Sequence, residues 1–341
     1  MSIFVKAYTK TVVQRKAAGE MRQEEGKLQL YYKAYVLLCE KALKAGNTSI
    51  HLYLVSQWNL MVRTSSVQCL NYQFINWTED SMTIKVPMSK SDQTGDRAFA
   101  KHTFANPITP ATCIVLSLAI HILCCSYFKN GDYKIFPQET ISLTFSQWLK
   151  HTADSLSEAE QTILGISSQD LGTHSIRKGA CIYASGQQCS PSAIAIKLRM
   201  DHSLGETSDR YYFESDGADQ LLGRFLSGLC FTRPEFGTLP PHYKSVEFER
   251  NIDWSAIVLY YNQYPSCFKT AIPYLIASVV YHLDYLRTTL PPAFEIIDFG
   301  NKNKIRLSDI AYATAHKKLK QRKRAAHANV NEDINEDVNE I

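Results

Sequence analysis

Apolar residues recur at helical spacing along much of the chain and predict a mainly helical protein. The first such run covers 27–44 and stops before Gly46, and Thr48 with Ser49 is expected to cap a second helix that reaches Leu60. Further helices are predicted over 110–127, 146–153, 155–164, 174–185, 190–199, 206–213 and 217–226.

Three short segments instead have the composition of strands. They cover 74–77, 82–86 and 97–104, with turns at 78–80 and 90–96 between them. They predict a small three-stranded antiparallel sheet that carries Lys90 in its second turn. The expected fold class is therefore α+β, predominantly helical.

Composition shifts divide the chain into four parts. Pro234, Gly237 and the pair Pro240-Pro241 mark a boundary, and beyond it 254–261 and 264–290 are expected to be packed helices, the second kinked or split at Pro273. The predicted parts are a polar N-terminal arm (1–26), a main domain (27–230), a helical C-terminal extension (231–316) and a disordered tail, basic then acidic (317–341).

Overall composition is that of an ordinary globular protein. The 341 residues are 45% hydrophobic and 21% charged, and a net charge of +4 is too small to predict a nucleic-acid binder by itself. Nine cysteines without metal-ligand spacing indicate reduced thiols, and Met1 is followed by charged residues rather than by a signal peptide. The longest apolar runs are too short or too polar to span a membrane, so we expect a soluble intracellular protein.

The most informative segment is Leu171–Ala180, which contains His174 and Arg177 three residues apart. At a helix start these two side chains share one face, and a guanidinium fork beside an imidazole suits a phosphodiester. His202 follows His174 by 28 residues, and Tyr211 follows His202 by nine.

The order Arg63, Lys90, His174, Arg177, His202, Tyr211 resembles the active-site pattern of the tyrosine recombinases, the phage-integrase superfamily. The flanking Trp58–Arg63 and Ala105-Asn106-Pro107 make it similar to the recombinases of Crypton-type eukaryotic mobile elements. The resemblance covers about residues 27–230. It implies a tyrosine-recombinase-like catalytic domain, double-stranded DNA as partner, a synaptic tetramer on DNA, a nuclear location, and no cofactor or metal.

The resemblance gives each of the six residues an expected chemical role in cutting and rejoining DNA. Arg63 and Arg177 would hold the non-bridging phosphate oxygens, and His202 would add a hydrogen bond to them. The phenol of Tyr211 would attack phosphorus with His174 as base, and Lys90 would protonate the leaving 5′-oxygen. The resulting 3′-phosphotyrosyl link keeps the bond energy, so rejoining needs no ATP.

Several alternatives stay open. Lys85 competes with Lys90 as the turn lysine, and Tyr212 competes with Tyr211 as nucleophile. Two departures from the family weaken the expectation: Thr64-Ser65-Ser66 replaces the usual acidic residue after Arg63, and too few residues precede the pattern for the usual DNA-clamping domain. A catalytically idle, recombinase-derived DNA-binding or scaffolding protein is the alternative, and a relaxing enzyme like the type IB topoisomerases is a third reading.

A basic cluster near the C-terminus is a candidate DNA-binding arm or nuclear import signal, unless it is only a solvated charge run. Its cationic members are Lys317, Lys318, Lys320, Arg322, Lys323 and Arg324.

Overall fold

The structure is a computed structural model that describes residues 14–15, 18, 26–87, 99–124, 132–202, 217–294, 303 and 305–311. The fold is predominantly helical with a small three-stranded antiparallel sheet, which confirms the α+β class. Across these ranges, every helix is too short or too polar to cross a membrane.

The helices are α1 (Tyr32–Lys44), α2 (Thr48–Leu60), α3 (Thr64–Gln68), α4 (Ile114–Cys124), α5 (Ile141–Asp154), α6 (Glu158–Leu164), α7 (Thr173–Ser185), α8 (Ala193–Arg199), α9 (Gly217–Leu226), α10 (Val246–Arg250), α11 (Trp254–Ile257), α12 (Ser266–Lys269), α13 (Ile272–Tyr281) and α14 (Leu283–Thr289). Short 3₁₀ turns cover Tyr72–Phe74, Pro110–Thr112, Pro234–Gly237, Tyr261–Gln263 and Leu307–Asp309. The predicted helix 206–213 lies outside the described residues.

The first helix begins later than predicted because the preceding segment is used for another contact. Leu28 donates its backbone N–H to Asp170 O (3.0 Å) and Leu30 donates to Ser175 O (2.9 Å), so this stretch runs along the start of α7. A Cβ on Gly179 would lie 1.9 Å from Leu30 O, and only glycine permits so close an approach.

Helix α2 is the centre of the fold. All its residues except Ser49 are buried, and it packs against α1, α4, α7 and α9. A helix that is buried all round needs little amphipathic pattern, which fits its mixture of aliphatic, aromatic and neutral polar residues. It ends at Met61, whose backbone is left-handed (φ 53°), and the chain then leaves the core at Arg63.

The sheet has the order β1 (Ile75–Thr78), β2 (Ser81–Lys85), β3 (Ala100–Thr103), antiparallel throughout. Its three strands confirm the sequence prediction to within a few residues at each end. Strand β3 is buried because α9 lies directly on it: a Cβ on Gly223 would come within 2.3 Å of His102 O.

The C-terminal extension differs from its prediction. The segment 254–261 is α-helical only over α11, so one helix of that length is wrong. The segment 264–290 is split near Pro273 as expected, but it forms three helices, α12 to α14, rather than two. Pro273 lies in the first turn of α13, where its missing N–H has no intrahelical partner to lose. A two-stranded sheet of β4 (His242–Tyr243) and β5 (Ile310–Ala311) was not expected, and α13 packs against α4 in one continuous core.

Candidate functional site

Arg63 lies directly beyond the C-terminal end of α2, at the N-cap position of α3. Its side chain is half-buried, and its Nη1 atom is buried with no hydrogen-bond partner among the described residues. The buried helix α2 therefore presents one guanidinium with an unused donor at a fixed point of the surface.

The N-terminal turn of α7 is tied to the same region by one amide. Gln57 Nε2 donates to Thr64 Oγ1 (3.1 Å), next to Arg63, and to Thr173 O (3.0 Å), next to His174. The Gly172 N–H donates to Ser175 Oγ (3.1 Å), which fixes the start of α7. His174 is exposed on this first turn, and three residues later Arg177 lies on the same face.

Arg177 is the most constrained of the candidate residues. Its side chain is only 5% exposed, and its Nη2 donates to the backbone oxygen of Met200. The same Nη2 lies 3.2 Å from His202 Nε2, while Nη1 is buried and has no hydrogen-bond partner in the part of the chain that the structure describes. Arg177 thus fixes the loop after α8 with one nitrogen and keeps a second donor unused.

The site carries excess positive charge. Burial lowers the pKa of Arg177 to about 10, and the positive charge of Arg63 contributes to the shift, which Asp201 opposes. No ion pair among the described residues involves either arginine. Two neighbouring guanidiniums with unused donors form a site that favours an anion.

His202 is exposed at the edge of this pair. Partial burial lowers its pKa, and the charges of Arg177 and Arg63 lower it further. The neutral imidazole then accepts the Arg177 N–H at Nε2, which leaves its proton on Nδ1. In this arrangement the ring is a donor through Nδ1 only.

Comparison of the chain with protein-family models, with curated proteins and with solved structures found no match to it.

A buried ionic network supports the site from below, and sequence reasoning missed it. Arg199 is fully buried; its Nη1 donates to Asp219 Oδ1 (2.6 Å) and its Nη2 donates to Asn59 O and His102 O (both 2.8 Å). Asp219 Oδ2 in turn accepts the backbone N–H of His102 (2.7 Å). The network joins the end of α2, strand β3, the end of α8 and α9.

A second buried cation, Lys101, extends this network to the site. Its Nζ donates to Arg199 O and to Asp201 Oδ1, both at 2.7 Å, and burial lowers its pKa while Asp201 opposes that shift. Asp201 has a left-handed backbone (φ 53°) and immediately precedes His202. The sequence has no acidic residue directly after Arg63, and the carboxylate that acts on the charge of Arg177 is Asp201 instead.

Of the remaining predicted site residues, most lie outside the part of the chain that the structure describes. Lys90, Tyr211 and the rival Tyr212 lie outside the described residues, as does the basic cluster between 317 and 324. The other candidate lysine, Lys85, is exposed at the end of β2. The structure therefore brings Arg63, Arg177 and His202 together and places His174 on the same helix face as Arg177.

Proposed function

We propose that this protein breaks and rejoins DNA strands through a covalent 3′-phosphotyrosyl link to Tyr211. The observation that carries the proposal is the pair of neighbouring guanidiniums, Arg63 and Arg177, each with a buried Nη1 donor that no described residue accepts. Two neighbouring guanidinium groups fit the two non-bridging oxygens of a phosphodiester. Their positive charge stabilises the negative charge that develops on those oxygens during attack.

The reaction uses a phenol, a base and an acid. The Tyr211 oxygen attacks phosphorus and its proton passes to His174, while the bond from phosphorus to the 5′-oxygen breaks and Lys90 supplies the proton to that oxygen. A free 5′-hydroxyl then reverses the same steps, with no change in the number of phosphoester bonds. Arg63, Arg177 and the Nδ1 proton of His202 stabilise the five-coordinate transition state.

The resemblance to Crypton-type recombinases supports the wider setting of this activity. It implies double-stranded DNA as substrate, integration or excision of a mobile element as outcome, self-association as a synaptic tetramer, and action in the nucleus. These remain parts of the proposal.

A catalytically idle DNA-binding protein is the second candidate function. The observation that favours it is the hydrogen bond from Arg177 to the carbonyl of Met200, since a helix-to-loop contact of this kind stabilises a fold without any chemistry. This alternative predicts salt-sensitive duplex binding with no covalent product.

One assay separates the two functions. Nicked suicide duplexes of random sequence release a short strand after cleavage and so trap any covalent adduct, which denaturing electrophoresis detects. We expect an adduct with the natural chain and with Tyr212→Phe as matched control, and none with Tyr211→Phe. Salt-sensitive binding by all three proteins without an adduct would support the idle protein.

A further inference from the structure

A cavity of about 530 Å³ opens beside the N-terminal turn of α7. Its polar lining comes from the stretch before α1, from α5, from the loop before α7 and from the first turn of α7. The side chains that matter for its chemistry are Lys27, Lys150, His174, Ser146, Ser168 and Thr173.

The lining of this cavity is basic and rich in donors. Lys27 and Lys150 contribute two ammonium groups, His174 contributes an imidazole, and no acidic side chain is among its described lining residues. Lys27 Nζ is already engaged with Gln169 O (2.5 Å), whereas no hydrogen bond or ion pair among described residues involves the exposed ammonium of Lys150. Three hydroxyls and the positive end of a 13-residue helix add to the preference for an anion.

The cavity adjoins the arginine pair. His174 lines the cavity and lies one turn before Arg177 on α7. Gln57 Nε2 donates both to Thr173 O, at the cavity, and to Thr64 Oγ1, beside Arg63. An anion in the cavity and an anion between the arginines would therefore be neighbours, as successive phosphates of one strand are.

We propose that this cavity holds a second backbone phosphate of the bound DNA, adjacent to the phosphate that Arg63 and Arg177 hold. The inference rests on the proposed function for the identity of the ligand. Lys150 binds this phosphate, since no described residue competes for its ammonium group.

The test is the salt dependence of duplex binding. The logarithm of the binding constant falls linearly with the logarithm of the salt concentration, and loss of one phosphate contact decreases the magnitude of this negative slope by about 0.9. We expect that decrease for Lys150→Gln and the natural slope for Lys150→Arg, which keeps the charge. The matched control is Lys44→Gln, at the far end of α1 and about 18 Å from the start of that helix. An unchanged slope in Lys150→Gln, or an equal decrease in Lys44→Gln, overturns the inference.

Further results separate this inference from the proposed function and from the binding of free phosphate. If the duplex adduct of Tyr211 forms normally while the Lys150→Gln slope is natural, the cavity inference fails and the proposed function stands. If no adduct forms but the slope decreases, the cavity binds DNA and the catalytic proposal fails. Inorganic phosphate added at constant ionic strength should not raise the melting temperature of the natural chain more than that of Lys150→Gln. A larger rise in the natural chain, together with an unchanged salt slope of duplex binding in Lys150→Gln, would assign the cavity to free phosphate and overturn the inference.

Discussion

The Arg177 guanidinium stays charged although burial and the nearby charge of Arg63 both lower its pKa. Its pKa of about 10 still leaves it protonated at neutral pH, so the folded protein holds two adjacent guanidiniums with a partially compensating Asp201. An anion placed between them relieves that repulsion and gains two charge-assisted hydrogen bonds. The charges at this site therefore favour the binding of an anion.

Lysine cannot replace arginine here, because an ammonium is a point charge without the planar fork. We expect Arg63→Lys and Arg177→Lys each to lower the rate of adduct formation about 10²- to 10³-fold, the range for loss of one transition-state donor. Duplex affinity should fall less than about tenfold, since the charge is kept. Adduct kinetics and binding isotherms provide the measurement.

Arg287→Lys is the matched control, since Arg287 is partly exposed and pairs with Asp284 on α14. Equal losses of adduct rate and of affinity in Arg63→Lys would mean that the arginine only binds DNA. That result would contradict its role in the transition state.

At the scale of elements, the sequence predicts the three strands and most of the helices around the site, because their patterns are local. It does not predict the network below them. Lys101 and Arg199 have residue types that are usually exposed, and their partners Asp201 and Asp219 are identified only once the chain has folded. The one local signal is that Lys101 lies inside a predicted strand, between Phe99 and Phe104. For α1, the periodic pattern extends too far because tertiary contacts with α7 take the preceding residues.

Removal of one partner from a buried ion pair leaves the other charge uncompensated. We expect Asp219→Asn to lower the free energy of unfolding by about 3–5 kcal/mol, because Arg199 is completely buried. Asp284→Asn, which alters an exposed pair, should change it by less than about 1 kcal/mol. Urea unfolding followed by circular dichroism compares the two. Similar small changes in both would show that the network contributes little to the fold.

At the scale of the whole molecule, the extension is part of the folded body. Helix α13 packs against α4, and a buried histidine lies in each part: His51 in α2 and His282 between α13 and α14. His51 Nε2 lies 2.7 Å from Ala111 O and its Nδ1 lies 2.7 Å from Ser117 Oγ, a pairing that a neutral ring satisfies. The sequence predicts an extension with packed helices, but its breaks depend on contacts with β1, β4 and α4 that no local pattern encodes.

The two histidines predict acid sensitivity. Burial lowers both pKa values from 6.5 to about 4, so the folded state favours the neutral rings. Stability is fully present above pH 6.5 and falls as the pH decreases toward 4, because the unfolded chain binds the protons first. For each histidine, the free energy of unfolding decreases by up to about 1.4 kcal/mol for every unit by which the pH falls within this window.

Urea midpoints measured between these pH values test this expectation. His282→Gln should flatten the pH dependence, and His151→Gln, on the exposed face of α5, should leave it as in the natural chain. A pH-independent midpoint across the window would contradict the assignment.

The central claim is that a phosphodiester held by Arg63 and Arg177 is attacked by Tyr211. Mass spectrometry of the DNA-linked peptide, recovered after protease digestion of a trapped complex, tests it most directly. The account predicts a 3′-phosphate ester on the Tyr211 oxygen and a free 5′-hydroxyl on the released strand. A link to Tyr212 or to another residue, a 5′-phosphate link, or tight DNA binding without any linked peptide would contradict it.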